Sequence, residues 1–168
     1  MASKTLSLAM RGLEFFWALL IMALVGNMIA TSYAGDPSIV NYAMFVAVFS
    51  MLSLLYLIPA TLKDGLGIPA VMIALDVFNT LFYFCAAVAL AAYLGVHSCS
   101  NNHYTSTNFI TNGSRNTGKR CREAQASTAF LWFGFACFAA TTFFSFQQNR
   151  GGVNMRGMRR GAPSMSQV

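Results

Sequence analysis

The chain has 168 residues, of which 56% are hydrophobic and 10% charged, and its formal net charge is +6. Soluble domains carry about 25% charged residues, so this composition excludes an ordinary soluble enzyme or binding module. It predicts a single membrane domain with no nucleic-acid partner.

Four long apolar stretches follow one another along the chain, at about residues 13–33, 42–62, 69–94 and 126–146. A helix needs about 20 residues to cross the hydrocarbon core, and each stretch is long enough. Hydrocarbon offers the backbone no water, so such segments must be helices. The first is too long for the apolar region of a cleaved signal peptide. We predict an all-α, antiparallel four-helix membrane bundle over residues 13–146.

The ends of the chain carry most of its cations. Residues 1–12 are expected to form a cytoplasmic amino terminus, and residues 147–168 a basic, disordered cytoplasmic tail. Seven cations are expected on this side: Lys4, Arg11, Lys63, Arg150, Arg156, Arg159 and Arg160. Four are expected on the other: Arg115, Lys119, Arg120 and Arg122. The excess favours cytoplasmic termini.

The tail arginines follow the last span directly. Cations at this depth attract anionic lipids of the inner leaflet, each contributing about 1 kcal/mol. The same residues are also explained by topology alone, so inner-leaflet lipid contact is one of two interpretations.

The cysteines support the same orientation. Cys85 and Cys137 lie inside apolar stretches, whereas Cys99 and Cys121 bound the polar loop between the third and fourth spans. This placement favours a Cys99–Cys121 disulfide, which persists only outside the cytosol. Asn112 begins an Asn-Gly-Ser acceptor pattern for N-glycosylation in the same loop. Both features predict that this loop is extracellular.

Polar side chains inside the spans are few. Asp76, Asn79 and Tyr83 share one face of the third helix. Intramembrane carboxyls often serve in proton or ion pathways, but Asp76 lies near a helix end and equally fits a structural bond between helices. Glu14 and Asn27 of the first helix are candidate partners. Arg11, one turn before Glu14, is expected to pair with Glu14.

The pattern of reactive residues argues against catalysis. His97 and His103 flank Cys99, but their spacing fits no common zinc site. The spans contain no histidine base, and the chain has no Gly-rich phosphate loop. We therefore predict no enzyme activity, no metal and no cofactor. A bound sterol, sphingolipid or phospholipid is the expected ligand class.

Aromatic residues surround the fourth span. They cannot all face the bundle core, so some are expected to face lipid or a second copy of the chain. Alanines in the third and fourth spans allow close helix packing. A homo-oligomer is a natural expectation.

Several blocks resemble the fungal non-classical export protein family. They are His97-Ser98-Cys99-Ser100-Asn101, Tyr104, Asn108–Thr111, Gly113-Ser114, Arg120–Ala126, Ala129-Phe130-Leu131, Val40-Asn41-Tyr42, Leu75-Asp76 with Asn79, and the terminal Ser-Gln-Val. Members are small four-span MARVEL-type proteins of the plasma membrane.

The resemblance implies a function. It points to a non-enzymatic organiser of eisosome-type lipid domains that responds to sphingolipid or sterol, with BAR-domain scaffold proteins as partners. The alternatives are a small transporter or channel that uses Asp76, and a factor in unconventional secretion.

Overall fold

A computed structural model describes residues 2–33, 35–63 and 66–158, and within those residues the chain is helical, with no strand. The helices are α1 (Ala2–Ala30), α2 (Ser38–Leu62), α3 (Pro69–Leu94), α4 (Asn102–Thr107) and α5 (Thr117–Met158). All but α4 contain an apolar segment that can cross a membrane, at Lys4–Ala30, Ser38–Leu62, Pro69–Leu94 and Thr117–Gln147. The predicted all-α fold with four spans is confirmed.

The helix boundaries differ from the predicted ones mainly at polar ends. The third span begins and ends as predicted. Its start at Pro69 has a physical reason, because proline is suited to the first turn of a helix. Helix α1 extends amino-terminally of residue 13, and α5 begins at Thr117 rather than near residue 126. Hydropathy marks the apolar part of a helix, whereas backbone hydrogen bonding also includes its polar turns.

A disordered tail was predicted from residue 147, but α5 continues as a helix to Met158. The prediction followed the loss of hydropathy, but a helical backbone needs no apolar side chain, and the next proline is Pro163. The side chains of residues 148–158 and all of residues 159–168 lie outside the described part. Lipid contact by Arg150, Arg156, Arg159 and Arg160 therefore stays a prediction.

The four long helices form a closed ring. Helix α1 packs against α2 and α5, and α3 packs against the same two helices, so α1 and α3 occupy opposite corners. Sequential long helices are antiparallel. One end of the bundle, called here the amino-terminal end, holds the start of α1, and the opposite loop end holds α4. Between these ends the core is filled by apolar side chains, including Ile21, Val25, Val46, Leu54, Ala86, Leu90, Leu131 and Phe138.

The side chain of Tyr83 on α3 packs directly against Gly134 on α5. A Cβ atom placed there would lie 2.3 Å from Cε1 of Tyr83 and 2.6 Å from its Cδ1. The Tyr83 ring also packs against Phe138, with ring centroids 5.1 Å apart. The absent side chain of Gly134 therefore lets a fully buried aromatic ring lie flat against the neighbouring helix.

The loop between α3 and α5 is built on the disulfide. Cys99 and Cys121 are bonded, with Cα atoms 5.6 Å apart. Within the loop, the Asn101 side chain accepts hydrogen bonds from the backbone of His103 and Tyr104 and thereby starts α4. This short helix was not predicted, because its polar composition has no amphipathic period. The Cys99–Cys121 disulfide, in contrast, was predicted.

Gly134→Ala is expected to destabilise the protein by about 1–3 kcal/mol, because the new methyl group must displace the Tyr83 ring. Gly12→Ala is the matched control, since a Cβ atom there meets nothing within 4 Å. It should leave stability unchanged or raise it by up to about 1 kcal/mol. Thermal unfolding of both purified variants in detergent measures the difference, and equal melting temperatures would contradict this account of the α3–α5 contact.

Candidate functional site

The polar residues of the bundle gather into two clusters, one near each end. The Arg11 cluster, at the amino-terminal end, consists of Arg11, Glu14, Asp76, Thr141 and Ser145. Arg11 donates to both carboxylate oxygens of Asp76, with Nη1–Oδ1 at 2.5 Å and Nη2–Oδ2 at 2.8 Å. The same Nη1 lies 3.1 Å from Oε2 of Glu14. One guanidinium thus joins two carboxylates, in a site shielded from water.

Two hydroxyl groups of α5 complete the Arg11 cluster. Thr141 Oγ1 donates to Oε1 of Glu14 at 2.7 Å, and Ser145 Oγ donates to Oδ2 of Asp76 at 3.3 Å. The cluster therefore ties together α1, α3 and α5. Since α1 and α3 lie on opposite corners of the ring, the long Arg11 side chain spans the diagonal of the bundle.

The position of Arg11 confirms one expectation and adds to it. The predicted ion pair with Glu14 forms, and Arg11 also makes a bidentate pair with Asp76. Arg11 was counted among the cations that favour cytoplasmic termini, and only 3% of it is exposed. Local spacing reveals a partner on the same helix, whereas a partner 65 residues away becomes visible only in the folded bundle.

The shared face of α3 points into the bundle. Asp76, Asn79 and Tyr83 are all fully buried. Asn79 Nδ2 donates to the backbone carbonyl of Leu75 at 2.9 Å, within its own helix. The structure thus brings Asp76 to Glu14 through Arg11, while Asn79 and Tyr83 lie deeper along the same helix.

Asn27 does not reach Asp76, which corrects the pairing suggested for it. Asn27 lies 16 residues beyond Arg11, about 24 Å along an ideal helix, and therefore near the loop end. There its Nδ2 donates to Oε1 of Glu123 at 2.5 Å. Lys119 Nζ approaches the same oxygen at 3.5 Å.

The second cluster, called here the Arg120 cluster, lies at the loop end and was not predicted as a site. Arg120 Nε donates to the carbonyl of Ile110 at 2.7 Å, and Nη1 donates to that of Met28 at 2.6 Å. Its Nη2 bonds to Oδ1 of Asp36 at 2.5 Å. Arg120 was predicted only as one of four cations on the side opposite the termini, and only 1% of it is exposed.

Arg120 joins three otherwise separate segments: the end of α1, the α1–α2 connection that contains Asp36, and the disulfide loop. The Met28 carbonyl belongs to the last turn of α1, where helix carbonyls lack intrahelical donors. One signal was available in the sequence. Arg120 precedes a predicted disulfide cysteine, and Asp36 is an acidic residue in a very short connection.

Polar loop residues close the loop end of α3 in the same way. Tyr104 donates its hydroxyl hydrogen to the Leu94 carbonyl, and Asn108 Nδ2 donates to that of Tyr93 at 2.9 Å. Burial raises the pKa of the Tyr104 hydroxyl, which favours the protonated, hydrogen-donating form. Asn112, the predicted glycosylation residue, has an exposed side chain in this loop.

The two clusters act as fasteners, meaning polar contacts that hold separate helices and loops together. In the Arg11 cluster, both Asp76 oxygens accept bonds from Arg11, and Glu14 is held by Arg11 and Thr141. Charges inside a membrane protein are tolerated when they pair and face the protein interior. The arrangement orients helices and leaves the Asp76 carboxylate poorly placed to exchange ions.

Comparison with known proteins agrees with this architecture. Residues 2–144 match the family described as "MARVEL: Membrane-associating domain". The chain is 36% identical to "Non-classical export protein 2" of Saccharomyces cerevisiae over 137 residues, which cover 81% of this chain and 77% of that protein. No solved structure matches.

Two further relatives carry similar names. "Non-classical export protein 102" of Candida albicans is 36% identical over 165 residues, covering 95% of both chains. "Non-classical export protein 2 homolog 1" of Saccharomyces cerevisiae is 35% identical over 158 residues, covering 88% of both chains. The similarity therefore extends over nearly the whole length of each protein.

Asp76→Asn is expected to lower the free energy of unfolding by about 3–5 kcal/mol, because it leaves the buried Arg11 without its bidentate partner. Phe78→Leu is the control, since Phe78 lies on the same helix and is half exposed. The triple variant Arg11→Met/Glu14→Gln/Asp76→Leu should recover much of the loss, because it removes all three buried charges of the Arg11 cluster. Melting temperatures in detergent test all three, and an Asp76→Asn protein as stable as the control would disprove the fastener assignment.

Proposed function

The chain belongs to the MARVEL family of membrane-associating domains, and from this premise we propose that it is a non-enzymatic organiser of lipid domains in the plasma membrane. It is a multi-pass membrane protein with four apolar helices. One observation carries the proposal. The charged side chains inside the spans, Arg11, Glu14 and Asp76, are buried and bonded to one another, whereas the outward surface is apolar and rich in aromatic rings.

The aromatic rings gather at three seams between neighbouring helices. The α2–α3 seam has Phe45, Phe49, Phe78 and Phe82. The α3–α5 seam has Phe84, Trp132 and Phe135. The α1–α5 seam has Trp17, Phe130 and Phe133. Several rings are about half exposed, including Phe45 at 48% and Phe78 at 50%.

These seams supply a physical mechanism for sorting lipids. Rigid ring faces pack well against flat or straight-chained lipids and less well against kinked chains, because close contact requires complementary shapes. A lipid that binds one arrangement or oligomer more tightly shifts the population toward it, by no more than that difference in affinity. Self-association through the same seams would concentrate the preferred lipids around a group of copies.

The proposed orientation follows from the loop. The Cys99–Cys121 disulfide and the exposed Asn112 support an extracellular loop, and with four spans an extracellular loop implies cytoplasmic termini. By family resemblance the protein would lie in eisosome-type domains, respond to sphingolipid and sterol content, and work beside scaffold proteins of the BAR-domain type.

Two alternatives are weighed against this proposal. A role in unconventional secretion is suggested by the names of the relatives, "Non-classical export protein". A transporter using Asp76 is less well supported, because both Asp76 oxygens are bonded to Arg11. Measured flux that Asp76→Asn abolishes, in a variant that still folds and clusters, would favour transport.

The lipid-sorting proposal predicts an uneven distribution in vesicles. The labelled full-length protein, reconstituted in giant vesicles containing phosphatidylcholine, a sphingolipid and a sterol, should enrich in or at the edge of the ordered phase. Phe45→Leu/Phe78→Leu should reduce this enrichment about twofold or more, because leucine keeps the apolar surface but removes the flat faces. Fluorescence microscopy measures the partition coefficient.

Phe15→Leu serves as the control for that variant, since Phe15 is exposed and lies outside the three seams. It should partition like the wild type. A wild-type distribution that ignores the sphingolipid and sterol content would refute the proposed function.

The orientation predicts a pattern of cysteine labelling. A membrane-impermeant maleimide should not label the loop cysteines of intact cells until an impermeant reductant opens the Cys99–Cys121 bond. Both cysteines should then react, and a mass shift on a gel counts them. Labelling of Cys99 before reduction, or only after the cells are permeabilised, would contradict the bridge or the orientation, respectively.

A further inference from the structure

A cleft of about 410 Å³ opens at the loop end, between the end of α1 and the start of α5. Its walls are supplied by the end of α1 and the residues that follow it, by the segment before α5 and by the first turns of α5. They comprise Ala30–Tyr33, Ser114–Asn116, Lys119, Arg120 and Glu123. Arg120 of the Arg120 cluster forms part of this wall, and the other lining residues belong to neither cluster.

The cleft holds more positive than negative charge. Three of its residues are cations, and Glu123 is the carboxylate in its lining. Arg120 is fully engaged by the Arg120 cluster, and Glu123 already accepts a bond from Asn27 at 2.5 Å. Arg115 and Lys119 are therefore the cations that remain able to turn toward a ligand.

The placement of these two cations supports such a role. The Arg115 guanidinium lies over the Tyr33 ring, 5.6 Å from its centroid, and in the part of the chain that the structure describes no carboxylate pairs with it. Lys119 is 56% exposed, and its Nζ lies 3.5 Å from Glu123, a loose ion pair. A phosphate between Arg115 and Lys119 would form charge-assisted hydrogen bonds with both.

The hydroxyl groups of the cleft indicate what accompanies the phosphate. Thr31 and Ser32 donate their hydroxyl hydrogens to backbone carbonyls, at 2.8 Å in both cases, so their lone pairs remain free to accept. A ligand that uses them must itself carry donors, as a polyol does. The cavity is also larger than a bare phosphate requires, and it falls in the range of about 300–1,000 Å³ typical of sites for organic ligands.

The position of the cleft favours a membrane lipid as the molecule that carries the phosphate and the polyol. It opens where the α1 span ends and the α5 span begins, which is the depth of lipid headgroups. We propose that the cleft binds the phosphate-bearing, hydroxyl-rich headgroup of a membrane lipid in the leaflet at the loop end. Arg115 and Lys119 hold the phosphate, and Thr31 and Ser32 accept from the polyol.

This site goes beyond the proposed lipid sorting and does not depend on it. The aromatic seams act on acyl chains and sterols along the spans, whereas the cleft recognises a headgroup at one end. The two proposals can fail separately. The protein could bind a headgroup without sorting lipids, or it could sort lipids without binding a headgroup in the cleft.

Phosphatidylinositol is the probe for the test, because its headgroup combines a phosphate with a polyol. Full-length protein in phosphatidylcholine nanodiscs is titrated with phosphatidylinositol, and native mass spectrometry counts the lipids retained. Arg115→Gln/Lys119→Gln is expected to weaken retention at least about tenfold. Arg122→Gln is the matched control, since Arg122 is an exposed cation of the same helix outside the cleft. It should bind like the wild type.

Three results would overturn the headgroup site. They are unchanged retention by the double variant, an equal loss in Arg122→Gln, and no preferential retention of phosphatidylinositol by the wild type. Soluble glycerophosphoinositol distinguishes a membrane lipid from a soluble ligand that carries the same phosphate and polyol. Binding it as tightly as the lipid would reject the membrane source. The single variants Arg115→Gln and Lys119→Gln provide the measurement if the double variant fails to fold.

Discussion

The bidentate bond between Arg11 and Asp76 is the interaction on which the architecture depends most. Hydrocarbon offers no water to a buried charge, so each charged group must find its partner inside the protein. Arg11 meets this requirement across the diagonal of the bundle, between two helices whose backbones lie on opposite corners. A shift of α1 relative to α3 by a single turn, about 5.4 Å, would break both bonds, so the pair fixes the relative height of the helices.

The loop end is fixed by the same principle with different partners. Arg120 bonds to backbone carbonyls of α1 and of the loop and to Asp36, and the disulfide lies at the next residue. Each end of the bundle therefore has a buried arginine that joins segments distant in sequence. Between the two ends the packing is apolar and depends on close contacts such as Gly134 with Tyr83. A bundle held in this way can change its neighbours in the membrane while keeping its own internal arrangement.

The proposed functions use the surfaces that these internal bonds leave free. The buried charged groups are occupied by their own partners, so we assign recognition to the aromatic seams along the spans and to the cationic cleft at the loop end. On these proposals the two surfaces recognise different parts of a lipid: acyl chains and sterol rings would contact the seams, and a headgroup would contact the cleft. Such a division suits the proposed role, in which the protein organises membrane lipids and does not convert them chemically.

The sequence by itself determined the number of spans, the boundaries of the third span, and the pairing of Cys99 with Cys121, because length, hydropathy and the elimination of intramembrane cysteines are local properties. It also indicated that Asp76, Asn79 and Tyr83 share a face. Only the tertiary structure decided that Asp76 bonds to Arg11, that Asn27 bonds to Glu123, and that Arg11 and Arg120 are buried rather than exposed. The physical reason is that a charged residue near a helix end can either face water or cross to another helix. The choice depends on which helices become neighbours and at what height, and no local pattern contains that information.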